Sequence, residues 1–144
     1  MTYLDPKIWG PHYWFFLHTL SLCYPKHPST VNKKKYYDFI HNFHLFIPVE
    51  EISSDFSKLV NKYPVTPYLD NRESFIKWVH FIHNKINEKL EKPLISLDNF
   101  LIQYYQHYKP ENYKQMEIIK WREKILFLFV LSILLYSCYR FYEF

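Results

Sequence analysis

The side chains in this chain that could do chemistry are few. Its two cysteines, Cys23 and Cys138, lie far apart in sequence, so they supply no C-x-x-C dithiol, no disulfide framework and no cysteine-based zinc site. Among its 8 histidines, His41/His44 and His80/His83 are i, i+3 pairs. The two pairs fall on different helices, and no metal site is expected from them. Glu50 and Glu51 are adjacent carboxylates. Neighbours on a helix point about 100° apart, so the pair suits a solvated helix start, favoured by the helix dipole, better than acid–base catalysis. Two polar and aromatic faces remain. Trp14 and His18 stand four residues apart and project together from one helix. His83 and Asn87 keep the same spacing on another, with Asn84 adjacent and Lys89 and Lys92 following before Pro93. On physical grounds alone such residues read as polar neighbours of a core, satisfied by local hydrogen bonds.

The elements that must position them read as helices. The chain has 144 residues, enough for one domain with a modest core, and a single glycine, Gly10. A sheet needs glycine at its tight turns and bulges, so the class is all-α. A first helix is predicted over about residues 11–24, with Pro11 in its first turn and Pro25 and Pro28 ending it. A second, about 30–47, carries Tyr36, Ile40, Phe43 and Ile47 on one face. A third opens at Pro48 and runs to about 61, with Phe56 and Leu59 inward. The fourth begins with Asp70 and Glu73 as a capping box, presents Phe75, Val79, Ile82, Ile86 and Leu90 as a continuous stripe, and stops at Pro93. A fifth, amphipathic, covers about 97–108. The formal charge of +4 is small and scattered, which argues against nucleic acid as a partner. The first residues carry Asp5 and Lys7 and no continuous apolar run, so no signal peptide is expected there.

Residues 125–139 contain no charge and are apolar on every face, unlike an ordinary surface helix. Counted to Phe144, the segment reaches roughly 30 Å at about 1.5 Å per residue. Lys120, Arg122 and Lys124 flank its near end with Trp121, and Arg140 and Glu143 lie near the far end. These features predict a single C-terminal transmembrane helix in contact with membrane lipid. The positive-inside rule then places the N-terminal domain in the cytoplasm.

Several strings taken in order carry a resemblance. Trp9-Gly10-Pro11, then Trp14, Leu17-His18-Thr19-Leu20 and Tyr24-Pro25 resemble the first helix of the Erv/ALR family of FAD-dependent sulfhydryl oxidases. Trp78 and the run from His83-Asn84 through Asn87 and Leu90 to Lys92-Pro93 resemble that family's H-N-x-x-N-x-x-L-x-K-P signature. Phe39-Ile40 to Ile47-Pro48 is similar to the helix leading into the family's active site. The resemblance covers about residues 8–95. It implies a four-helix bundle with a short fifth helix, holding FAD at the bundle mouth, usually as a homodimer. It further implies FAD contacts from Trp9, Gly10, Trp14 and His18, adenine and ribose contacts from His83, Asn84 and Asn87, and pyrophosphate contacts from Lys89 and Lys92.

One departure decides the expected activity. The family places P-C-x-x-C at the start of its third helix, and here the string is Pro48-Val49-Glu50-Glu51-Ile52. Neither Val49 nor Ile52 can form the thiolate that disulfide exchange and attack on a flavin require. The structural disulfide that cellular members begin near His80 is missing too, as in many viral relatives. The reading is therefore a sulfhydryl-oxidase-like bundle over 1–95, a fifth helix and connector over 96–120, and a membrane anchor over 121–144. Its expected role is structural or in assembly, as a homodimer, as a heterodimer with a related oxidase, or docked on virion or capsid proteins of a large DNA virus. The setting would be a virion or host-cell internal membrane. The alternative is an active thiol oxidase that uses Cys23 or a partner's cysteines.

Overall fold

Every element among the described residues is helical, as the scarcity of glycine suggests. The computed structural model describes residues 4–110 and 113–142. Six helices follow one another: α1 (Pro6–Leu22), α2 (Thr30–Asn42), α3 (Glu50–Lys62), α4 (Arg72–Lys89), α5 (Leu97–Gln106) and α6 (Tyr113–Tyr142). Short 3-10 turns at Phe43–Phe46 and Thr66–Tyr68 prolong α2 and precede α4. The chain divides into two compact units, Met1–Ile102 and Gln103–Phe144.

In the first unit α4 supplies the centre of the core. Phe75, Trp78, Val79 and Ile82 are buried along it and pack with Leu17 and Tyr24 of the α1 segment, Ile40 of α2, and Phe56 and Val60 of α3. The polar tips of the large aromatics are satisfied at the core edge. The Tyr24 hydroxyl donates to the Leu69 carbonyl at 2.8 Å, and Trp78 Nε1 donates to the Tyr63 carbonyl at 3.0 Å. The stripe read from sequence on α4 is thus the inward face, except that Leu90 is exposed at the helix end.

Several boundaries differ from the sequence reading, among them α3, which opens at Glu50 and not at Pro48. α1 begins at Pro6, not at Pro11, because Asp5 caps it, its carboxylate accepting from the Lys7 amide at 2.9 Å. Pro11 therefore lies inside the helix. Proline crowds the Cβ of the residue before it, and that residue is Gly10, which has none. α2 stops at Asn42 and tightens into the 3-10 turn instead of running on to residue 47. At α4 the cap is Asn71, whose side chain accepts from the Ser74 amide at 2.9 Å. Asp70 does not form the expected capping box; its carboxylate takes the Lys33 ammonium at 2.6 Å.

The second unit corrects the membrane reading. Among the described residues no helix is long and apolar enough to cross a membrane. α6 is one continuous helix, and Lys120, Arg122, Glu123 and Lys124 on one side and Arg140 on the other bound its uncharged part. That part, residues 125–139, extends about 22 Å at 1.5 Å per residue, short of the roughly 30 Å hydrocarbon core. The single-pass anchor and the cytoplasmic orientation derived from it are not supported.

The cap assignment is directly measurable. Asn71→Ala is expected to lower the unfolding free energy by about 1 kcal/mol, and Asp70→Ala, which breaks only an exposed ion pair, by less than about 0.5 kcal/mol. Urea denaturation of the two variants checks the order; a larger loss at Asp70 would return the cap to that residue.

Candidate functional site

α1 and α4 lie side by side and bring the two sequence-predicted faces together. His18 is 1% exposed, and its Nε2 lies 2.9 Å from His83 Nδ1. One of these nitrogens donates and the other accepts, so the tautomers of the two rings are coupled. The Trp14 indole stacks on the His83 imidazole, with centroids 4.1 Å apart and planes 11° apart. Phe100 of α5 covers His18 with a centroid separation of 3.9 Å. Trp14, His83, His18 and Phe100 thus form a run of flat rings between α1, α4 and the start of α5.

Burial sets the charge of this run. It pushes His18 from the ordinary 6.5 down to about 3, with repulsion from charge on His83 and then His80 adding to the effect. It pushes His83 down to about 4, with His80 and then Lys92 adding. Both rings are neutral at neutral pH. His18 Nδ1 is buried and is the one buried side-chain nitrogen or oxygen without a hydrogen-bond partner among the described residues. An orphaned polar atom in a neutral aromatic setting is the arrangement that receives a flat, hydrogen-bonding ligand.

The other predicted residues are placed variously. Trp9 packs edge-on against Tyr13 at 5.0 Å and donates from Nε1 to the Leu4 carbonyl at 3.1 Å. A Cβ built on Gly10 would meet nothing within 4 Å, so Gly10 makes no close cradle. Asn87 is buried on α4 beside the run. Asn84 is engaged by the chain itself: Nδ2 donates to the Ile95 carbonyl at 2.9 Å, and the Ile95 amide donates to Oδ1 at 3.3 Å. Lys89 pairs with Asp55 of α3. Lys92 stays exposed just past the helix end. The sequence reading missed Phe100 and Ile95, which nothing local marks, and weighed His80 as half of a metal pair, although its spacing of four from Asn84 was the signal of its use.

Val49 and Ile52 sit at the start of α3, Val49 as the residue before its first turn and Ile52 half-buried against the core. This helix start is fixed from two sides. The Tyr13 hydroxyl donates to the Phe46 carbonyl at 2.9 Å, and Ser53 Oγ donates to the His44 carbonyl at 2.6 Å. A helix N-terminus favours a thiolate, but both of these side chains are hydrocarbon. Cys23 is free and exposed at the end of α1, and Cys138 is free and exposed in the second unit. Among the described residues no three His, Cys, Asp or Glu side chains gather as metal ligands.

The neutral imidazoles tie stability to pH with a definite sign. The unfolded chain binds protons at the two histidines below about pH 6.5, whereas the folded chain does so only near 4 and 3. Stability is therefore full above pH 6.5 and falls as pH drops from there toward 4. Urea midpoints measured from pH 7.5 to 4.5 check this, and His18→Phe is expected to flatten the slope; a wild-type midpoint that does not fall would show the pair to be accessible to protons.

The model of the Erv1 / Alr family matches residues 11–109. A probable FAD-linked sulfhydryl oxidase of Acanthamoeba polyphaga mimivirus is 32% identical over 94 residues, covering 65% of this chain and 66% of the relative. A mitochondrial FAD-linked sulfhydryl oxidase of Schizosaccharomyces pombe is 34% identical over 87 residues, covering 60% of this chain and 48% of the relative. The chain thus spans about two thirds of one relative's length and half of the other's. The FAD binding domain of Erv1 from Saccharomyces cerevisiae superposes with a TM-score of 0.64 at 26% identity, over 74% of this chain and 96% of that domain. With the family model matched over more than half of its length, and with the helical fold that goes with it, this chain belongs to the Erv1/Alr family.

Proposed function

We propose that this protein binds FAD but does not oxidise thiols by itself, and that it acts as a structural or assembly partner. The observation that carries the reading is the pairing of the Trp14–His83–His18 ring cluster with hydrocarbon side chains at Val49 and Ile52. The FAD-linked names of the relatives and the likeness to an FAD binding domain support the cofactor. The residues fit it. Trp14 and His83 are flat, neutral and half-buried, and the buried His18 Nδ1 beneath Phe100 has a hydrogen bond that the protein leaves unused. Asn87 adds a polar edge, and the exposed Lys92 adds a positive charge that suits phosphate, while Lys89 is paired with Asp55. When bound, FAD supplies two-electron redox capacity.

The chain's own residues keep the two imidazoles neutral. They do not connect the site to a thiol. Forming a disulfide removes two electrons and two protons from two thiols, and a thiolate of the enzyme must first take up the substrate's sulfur by exchange. Val49 and Ile52 have no sulfur to do so. Volume-tolerant hydrocarbon replacements keep α3 packed while the chemistry is absent. A partner carrying the dithiol, either a related oxidase in a heterodimer or another protein of a virus particle, is the natural complement, and a second copy of this chain is the simplest dimer.

Two outcomes are expected. The purified protein carries flavin absorbance, and His18→Ala loses affinity by about tenfold or more, the effect of removing a buried hydrogen-bonding and stacking ring; a colourless protein that takes up no added FAD would end the cofactor reading. With FAD bound, the protein consumes no oxygen on dithiothreitol above the rate of free flavin, and Val49→Cys combined with Ile52→Cys raises the rate at least about tenfold, because a thiol at a helix start is activated. Oxygen consumption by the unmodified chain in proportion to bound flavin would sink the pseudoenzyme reading, and loss of that rate in Cys23→Ser would assign it to Cys23.

A further inference from the structure

The chain leaves α4 through a tight reversal. The Lys92 amide donates to the Asn87 carbonyl at 2.8 Å and the Glu91 amide to the Glu88 carbonyl at 3.1 Å, with Glu91 at a φ of 53°. These bonds form a Schellman turn, in which the left-handed position is usually glycine. The reversal lays residues 92–96 back along α4, and Ile95 comes to rest beside side chains one helical turn apart. Asn84 pairs with the Ile95 peptide through both ends of its amide, at 2.9 and 3.3 Å. His80 Nε2 lies 2.8 Å from the same carbonyl, which can only accept, so His80 carries its proton on Nε2 and donates. Ile95 is thus held by three hydrogen bonds from two residues of α4.

The chain just beyond Ile95 reaches the site. Ser96 starts α5, its Oγ accepting from the Asn99 amide at 3.3 Å and its carbonyl from the Phe100 amide at 2.9 Å. That first turn sets Phe100 on His18 at 3.9 Å and beside His80 at 5.9 Å. The only cysteine of the first unit is Cys23, at the end of α1, so no disulfide ties this segment to α4.

We propose that His80 and Asn84 are positioning residues whose clamp on Ile95 holds Phe100 closed over His18, and thereby sets how fast the ligand of the site enters and leaves. This rests on the FAD reading for the identity of the ligand, but the clamp is observable without it. Both residues act through Ile95 and α5, and neither needs to touch the cofactor. Hydrogen bonds form and break thermally, so the closure is reversible without a chemical step.

The test uses the full chain and four variants. Asn84→Ala and His80→Phe remove the clamp from the α4 side, Ile95→Pro removes the amide donor from the other side, and His80→Gln keeps a donor. Hydrogen exchange at the amides of residues 97–100 is expected to accelerate about tenfold in the first three, as the loss of one or two buried hydrogen bonds implies, with the amides of α1–α3 unchanged. His80→Gln is expected to stay within about threefold of the parent. In the open variants the His18 imidazole, followed by NMR, titrates above its value of about 3 in the parent. Release of FAD accelerates in step with exchange. Unchanged exchange, or faster exchange with unchanged FAD release, overturns the proposal. If the parent holds no FAD, the FAD reading fails alone, while exchange and the His18 titration still decide whether the clamp holds Phe100 closed.

Discussion

The contact between His18 Nε2 and His83 Nδ1 is the constraint around which the first unit is arranged. Two imidazoles can share a hydrogen bond at this distance only if at least one is neutral, and burial makes both so. The requirement fixes the neighbours. α1 and α4 must approach closely enough for the rings to meet, with Leu17 and Val79 packed into the core beside them. The outer faces of the pair must then be covered by groups that ask for no charge, and Trp14 and Phe100 meet that need. A carboxylate in either place would favour the imidazolium and work against the neutrality that holds the pair together.

The start of α3 is organised separately. Its position depends on Tyr13, Phe46, His44 and Ser53, none of which is a redox group. The scaffold that presents the two positions is therefore indifferent to whether they carry sulfur. This explains how Val49 and Ile52 can occupy the start of a well-formed helix in a family whose relatives are FAD-linked sulfhydryl oxidases.

Legibility in the sequence tracks the reach of the interactions concerned. The inward stripe of α4 was readable because it is periodic within one helix, and the His18 and His83 faces were readable as i, i+4 pairs. The start of α1 was misplaced because Pro6 and Pro11 both fit a helix start by local rules, and only the Asp5 cap separates them. Asp70 and Asn71 are equally good caps in isolation; Lys33, 37 residues earlier in the chain, draws Asp70 away. The tail was counted to Phe144, past Arg140, whereas the uncharged stretch between Lys124 and Arg140 is what must match the hydrocarbon core, and it is shorter. Asn84 looked like a ligand contact because its partner, the backbone of Ile95, carries no side-chain signature.

The first unit contains one thiol and so no internal disulfide, and every tie that shapes it is a packing contact, a hydrogen bond or an ion pair. Glutathione and thioredoxin have no bond in it to cut, and oxidants have no pair of thiols in it to join. Its folding free energy thus draws on no internal disulfide in a reducing or in an oxidising compartment. A scaffold of this kind can stand beside thiol–disulfide traffic with no internal bond at stake, and the exposed Cys23 is the point of this unit that such traffic can reach.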